Sequence, residues 1–315
     1  MPLLRAPVTV MTADAVRRMG GALTVAVLDV GSNTVRLLVA VRGANGLAPL
    51  REEREHLLLG EEVERLGRIS DERLAATARC AGRYARVARA LGVDRLDVIV
   101  TAPGRQSENA DELVQALAIA TRAAVRVLSA DEEGRLAYQG AVAAAVSLPE
   151  TVAVCDVGGG STELVVGTPT VGPTWWRSLN LGCVRLTERF LADDPPGKVA
   201  MAAAAEEVER QLEGLTPPLP LAALATGGTA RALRKVVGEA LGAEELTLAS
   251  RRMAKRSSRE IAKANDLDRT RARTLPAGAL VLAALQRRLC VPFVVSRAGL
   301  REGVALELLA TQRAA

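Results

Sequence analysis

The chain is 315 residues long with 49% hydrophobic and 2% aromatic content, enough for a large core built from Ala, Val and Leu and for two domains. Lys and Arg number 41 against 36 Asp and Glu, a formal charge of +5, which favours polyanionic partners, while the scarce aromatics and the lack of a recognisable nucleic-acid module argue against specific nucleic-acid binding. No uncharged apolar run reaches membrane-spanning length, and four scattered cysteines without a C-x-x-C pair point to free thiols in a reducing cytoplasm rather than a disulfide framework or a zinc site.

Residues 1–21 show no period and read as a loose extension. Val25 to Val39 reads as strand, tight turn and strand, followed by a turn and strand over Val41 to Leu50 and a charged stretch from Arg51 to Arg68. The only histidine, His56, lies in that stretch with no metal-ligand spacing around it and reads as a surface residue. Ser70 caps a helix that runs to about Leu91 and stops at Gly92. Leu96 to Thr101 is a short β-branched strand, Ala102 to Arg105 a turn, Glu108 to Thr121 a helix, and Val125 to Leu128 a further strand. Ser129 and Glu132 fit a capping box for a helix reaching about Val146. That box leaves Glu133 as the acid in the turn with no capping duty.

A second strand, glycine turn and strand follows over Val152 to Gly167. Trp175 to Leu179 is a strand, Val184 to Leu191 and Lys198 to Leu212 are helices, and Leu221 to Ala225 is a strand that runs into Gly227-Gly228 and a helix. Residues 251–273 are conspicuously basic. Pro276 to Arg288 reads as an amphipathic helix, Phe293 to Val295 as a strand, and Gly299 to Gly303 as a turn into the last helix. Alternating strands and helices give an α/β class with helices on a mixed sheet.

The two glycine turns are copies. Val25–Val39 aligns without a gap on Val152–Val166, with eight identical pairs among fifteen, Asp29/Asp156 and Gly31/Gly158 included. A repeat of this kind implies two similar subdomains, each offering a loop to one cleft. Glycine lets the backbone approach a ligand and turn successive N–H groups toward an anion. The expected phosphate-binding set is therefore Gly31, Ser32, Asn33 and Thr34 with Gly158, Gly159, Gly160, Ser161 and Thr162. Asp29, Asp156 and Glu163 are oxygen ligands of the type Mg²⁺ (or Mn²⁺) prefers, directly or through water; each could instead cap its own turn. Arg36 takes the place of Glu163 in the first copy, where it could clamp phosphoryl oxygens or make a surface ion pair.

Asp29 to Thr34, Asp156 to Leu164 and Thr226 to Ala230, in this order, resemble the exopolyphosphatase/guanosine pentaphosphate phosphatase (Ppx/GppA) family. Further matches are Ser129 to Arg135, Gly182 to Glu188 and Gly299 to Gly303. The resemblance covers about residue 22 to the C-terminus and is to the short two-domain form. It implies two ribonuclease H-like domains of the actin, sugar kinase and Hsp70 superfamily with a cleft between them: domain I over 22–147 with the helix at 302–315 returning to it, and domain II over 148–301. It also implies Glu133 as the general base, with Glu132 as the fallback, and Arg105 as the family arginine, in a T-A-P-G-R segment richer in Pro and Gly than the family's. Gly227 and Gly228 match the place where nucleotide-binding relatives pack adenosine, and in a phosphatase they shape the cleft wall around the phosphates. Arg185, Arg231, Lys235, Arg271 and Arg273 are candidates for a basic track.

The activity so implied is Mg²⁺-dependent hydrolysis of terminal orthophosphate from inorganic polyphosphate. The alternative within the family converts guanosine pentaphosphate to the tetraphosphate. A sugar or acetate-type kinase and a non-catalytic polyphosphate or nucleotide sensor are the readings from other classes. A cytoplasmic homodimer is the expected assembly.

Overall fold

The computed structural model describes residues 23–43 and 46–311. The extension expected over 1–21 lies outside the described residues, as do the last residues of the helix expected at 302–315.

Two mixed sheets organise the molecule. In the first, β1 (Thr24–Val30), β2 (Thr34–Gly43) and β3 (Gly46–His56) run antiparallel, and β4 (Arg95–Val100) and β5 (Val125–Val127) add in parallel, giving the order β3-β2-β1-β4-β5. In the second, β6 (Val152–Val157), β7 (Thr162–Thr168) and β8 (Gly172–Leu179) repeat the antiparallel trio, followed by β9 (Ala222–Thr226) and β11 (Phe293–Val295), with the two-residue β10 (Ala240–Leu241) at the edge. Apart from β10 the two orders are the same. The gapless sequence repeat is thus a repeat of topology, and the expected pair of like α/β lobes is present.

The central strand β1 is apolar almost throughout because both of its faces are covered. Ala26, Leu28 and Val30 pack under α2 (Asp71–Ala90) and α4 (Ala110–Thr121). Val25 and Val27 face the other way, toward α5 (Ala130–Ala143) and the C-terminal helix α12 (Leu300–Ala310). By the two-residue period of a strand, Asp29 continues the row of Val25 and Val27. In the second lobe Asp156 continues the row of Val152 and Val154, which pack with Tyr138 and Ala141 of α5. Both aspartates therefore point into the layer between the sheets.

Helices α5 and α12 fill that layer and touch backbone to backbone. A Cβ on Gly140 would strike the Gly299 carbonyl and stand 2.7 Å from the Gly303 nitrogen, and one on Gly303 would strike the Leu136 carbonyl. Helix α12 packs on α5 and on strands β1 to β3.

Several local expectations change. The charged stretch from Arg51 divides into the end of β3 and α1 (Leu59–Leu66). Its charges decorate an edge strand that pairs on one side with β2, Arg36 opposite Arg54, and charge on a sheet edge blocks further pairing. Ala102 to Arg105 is the short helix α3 (Ala102–Gln106), with Pro103 in the first turn where its missing N–H costs nothing. The helix expected from Pro276 starts seven residues earlier, as α11 (Arg269–Leu289), capped by Asp268, whose carboxylate accepts from the Thr270 N–H at 2.9 Å. It is a core helix rather than an amphipathic one, buried from Ala277 to Leu285 except at Leu280. The remaining helices are α6 (Cys183–Phe190), α7 (Gly197–Gln211), α8 (Gly227–Val237), α9 (Ala243–Met253) and α10 (Ser258–Asn265). No helix among the described residues is long and apolar enough to cross a membrane.

Candidate active site

The two glycine turns close in the same way. The Gly31 N–H donates to the Thr34 carbonyl at 3.0 Å, and the Gly158 N–H to the Ser161 carbonyl at 3.0 Å. Asp29 stands opposite Arg36 across its hairpin, and Asp156 opposite Glu163 across the other.

The loops also meet each other. A Cβ on Gly159 would lie 2.8 Å from the Ser32 Cβ, and one on Gly160 would lie 3.0 Å from both the Ser32 Oγ and the Ala102 Cβ. No larger residue fits where the lobes converge. The second loop is held from behind, since its Gly158 and Gly159 carbonyls accept from the N–H groups of Cys183, Val184 and Arg185 at 2.9 to 3.1 Å, the otherwise unpaired donors that open helix α6. That leaves the amides of Gly159, Gly160 and Ser161, with those of Ser32 and Asn33, donating to no protein acceptor among the described residues. All five residues line one cleft. Free amides converging on a recess make an anion site.

Glu133, Asp29 and Asp156 line the same recess. Glu133 stands in the first turn of α5, only 8% exposed. Burial pushes its carboxyl up to about 7; Arg105 pulls the other way, and the Asp156 and Asp29 charges add to the rise. Burial raises Asp29 and Asp156 as well. The capping box is formed as expected, with the Glu132 carboxylate accepting from the Ser129 N–H at 2.8 Å. Glu132 is thereby tied to the cap, and Glu133 is left facing the cleft.

Cations stand beside these acids, Arg36 and Arg301 acting on Asp29 and Arg36 and Arg231 on Asp156. Arg36, Arg231, Arg271 and Arg301 line the cleft. Burial and the neighbouring Arg301 and Arg231 push Arg36 down to about 9, with Asp29 opposing. Arg271 and Arg36 meet over Gly228, where a Cβ would lie 2.7 Å from the Arg271 Nη2 and 2.9 Å from the Arg36 Nη2. Gly227 has φ +82°, open to glycine at little cost, and a Cβ there would collide with the Asp156 carboxylate. Gly227 thus packs on Asp156, and Gly228 on the Arg36 and Arg271 guanidinium groups. Arg301 donates to Glu52 at 2.9 Å and stands 3.6 Å from Glu302.

Some expected site residues stand outside the recess. Arg105 does not line it; its guanidinium is committed to Glu133 at 2.8 Å and to the Leu128 carbonyl at 2.7 Å. Thr162 is fully buried and donates to the Leu181 carbonyl. Glu163 is buried behind Glu133, accepting from the Ser178 Oγ at 3.0 Å, and burial and the Glu133 charge hold its pKa well up. Asp29, Asp156 and Glu163 accordingly do not form a three-acid metal cluster, and no such group exists among the described residues. Of the basic-track candidates, Arg231 and Arg271 line the cleft. Arg185 instead bridges the lobes to Glu64 at 3.3 Å and Gln106 at 2.8 Å, Lys235 pairs with Asp266, and Arg273 donates to the Leu191 and Ala192 carbonyls. His56 is not a surface residue: 18% of its side chain is exposed, its ring nitrogens have no hydrogen-bond partner, and Nε2 stands 3.9 Å from Asp268.

Residue-by-residue reading of the sequence assigned no role to Arg301, Glu302, Thr101 or Thr229, all of which line the cleft. For the first two, the Gly299 to Gly303 turn was the available signal. Thr229 lay inside the Thr226 to Ala230 match, whereas nothing local marked Thr101, which reaches the cleft because β4 ends there.

Paired α/β lobes with a glycine loop from each and an acid facing the shared recess define a two-lobed protein with an anion-binding cleft. The model of the Ppx/GppA phosphatase family matches residues 38–312, and the chain belongs to that family. It is 34% identical over 207 residues to exopolyphosphatase 2 of Mycobacterium tuberculosis, an alignment spanning 62% of this chain and 64% of the relative. The crystal structure of an exopolyphosphatase-like protein superposes with a TM-score of 0.86 at 25% identity, covering 93% of this chain and 99% of the other. The Aquifex aeolicus Ppx/GppA family member gives 0.77 at 28% identity, covering 92% and 98%.

Proposed function

We propose that the chain hydrolyses the terminal phosphoryl group of a linear phosphoanhydride chain, inorganic polyphosphate in the first place, with water as acceptor. The observation that carries this is the make-up of the cleft. Free loop amides, the acids Glu133, Asp29 and Asp156, and four arginines line one recess. A terminal phosphoryl group suits the amides, and the anionic chain behind it suits the arginines.

Glu133, with a pKa near 7, takes the proton from a water aligned with the terminal phosphorus, the range in which a carboxylate base works best at neutral pH. Arg105 holds that carboxylate in place. The amides of Ser32, Asn33, Gly159, Gly160 and Ser161 steady the phosphoryl oxygens, and Arg36 neutralises charge on the bridging side. The donor set fits Mg²⁺ (or Mn²⁺) held by Asp29 and Asp156 together with substrate oxygens and water, the sparse protein ligation such ions accept; when bound, the ion supplies charge neutralisation. In this reading Glu163 is a neighbour of the base rather than a direct ligand.

Guanosine pentaphosphate is the rival substrate, but among the described residues no aromatic side chain lines the cleft to stack a base. The free thiols of Cys80, Cys155, Cys183 and Cys290 suit a cytoplasmic enzyme, and a homodimer would lengthen the basic groove. Two domains divided near residue 147 and hinged where α5 crosses α12 complete the proposal.

The test is orthophosphate release from polyphosphate, guanosine pentaphosphate and ATP, each with and without Mg²⁺. Release from polyphosphate that needs Mg²⁺ and exceeds that from the other two supports the reading. Preference for the pentaphosphate transfers the assignment to the rival, and phosphate release from none of the three rejects hydrolysis.

A further inference from the structure

The basic stretch at 251–273 largely bypasses the cleft. Helices α7 and α9 both pack on α11 and leave a groove of about 910 Å³ between them. Its apolar lining comes from Met201, Ala202, Ala205, Leu248 and Leu280, one side chain set from each of the three helices. Leu248 is 49% exposed. Around this lining stand Lys198, Arg251, Arg252, Lys255 and Arg256.

None of these five cations makes a hydrogen bond or an ion pair with a carboxylate among the described residues. The contrast on the same lobe is Arg287 and Arg288, which share Glu209 at 2.8 and 2.9 Å. Glu260 lies near enough for its carboxyl to feel Arg256, but it is taken up in capping Ser257, whose N–H it accepts at 2.8 Å. The groove thus combines an unfilled apolar slot with an uncompensated cationic rim.

A bare polyphosphate chain gains nothing from leucine and methionine, so the floor argues against a second substrate site. A slot flanked by two helices and floored by a third has the shape that takes another helix, with apolar anchors recurring at three- and four-residue spacing. The cationic rim selects acid on that helix's polar positions. We propose that this groove docks an acidic amphipathic helix of a partner protein.

The test is a display selection with the full chain as bait and a library of amphipathic helical peptides whose polar positions vary in charge. Enriched peptides are then measured by fluorescence polarisation against wild type, Leu248→Asp and the double variant Arg251→Glu/Arg256→Glu. The proposal expects Asp- and Glu-rich peptides, binding that weakens with salt, and at least a tenfold loss of affinity in both variants, while phosphate release and melting temperature stay at wild-type values. It is overturned if no peptide is enriched, if the enriched peptides are neutral or basic, or if Leu248→Asp leaves their affinity unchanged. Self-association of wild type that Leu248→Asp abolishes also overturns it, by giving the groove to a second copy of the chain.

Discussion

The Glu133 carboxylate lies 2.8 Å from the Arg105 guanidinium, and burial nonetheless outweighs that cation and holds the acid at about 7. Because Arg105 favours the ionised form, its loss raises the pKa further. The rising limb of kcat/KM against pH is expected near 7 in wild type and shifted upward in Arg105→Gln, which a pH–rate profile on polyphosphate reads directly. An unshifted limb removes Glu133 from the role of base.

Stability carries the same signature. Glu133 is raised from 4.5 to about 7 on folding, so its ionisation opposes the fold. The destabilisation is absent below the unfolded value, grows between about pH 4.5 and 7, and reaches about 3 kcal/mol at most above that. Glu133→Gln is therefore expected to melt higher than wild type at pH 8 and close to it at pH 4.5, while activity falls by about 10²- to 10⁴-fold. Thermal unfolding at the two pH values checks the sign.

Arg271 is 7% exposed and forms no ion pair with a carboxylate among the described residues; Arg54 acts on it as a like charge and Asp268 opposes. Arg271→Met keeps much of its volume and removes the repulsion with Arg36. The expected outcome is a KM for polyphosphate raised by about tenfold, one charged contact's worth, with a melting temperature no lower than wild type. Steady-state kinetics and a thermal scan on the same preparation separate the two effects.

The α5/α12 crossing predicts a purely steric effect. Gly303→Ala puts a methyl group onto the Leu136 carbonyl, and the helices have to move apart at a cost of about 1–3 kcal/mol. Denaturant unfolding should show that loss, and phosphate release should drop with it because Glu133 opens one of the two helices.

Much of this site was legible in the sequence because it rests on local backbone chemistry. Duplicated Asp-x-Gly turns set a loop of each lobe on one cleft, and the Ser129 to Glu132 box left Glu133 without a capping duty. What stayed hidden depends on sequence-distant packing. Thr162 and Glu163 lie next to loop residues, but they open β7, where Thr162 turns to the Leu181 carbonyl and Glu163, on the same face as Asp156, is covered by the first turn of α5. Arg105, expected as the family arginine, is instead placed by α3 against Glu133. Pro276 suggested a helix start, yet burial of α11 on every side holds the helix through it. Charge alone could not separate Arg271, which reaches the cleft, from Arg251 and Arg256, which face a different surface.

Both glycine loops are expected to hold one terminal phosphoryl group while the arginines hold the chain behind it. The test is a crystal structure of Glu133→Gln with tripolyphosphate and Mg²⁺. The terminal phosphorus is expected between the amides of Ser32–Asn33 and Gly159–Ser161, with the remaining phosphates running toward Arg36 and Arg271. Tripolyphosphate bound outside this cleft, or bound with neither loop touching it, rules that arrangement out.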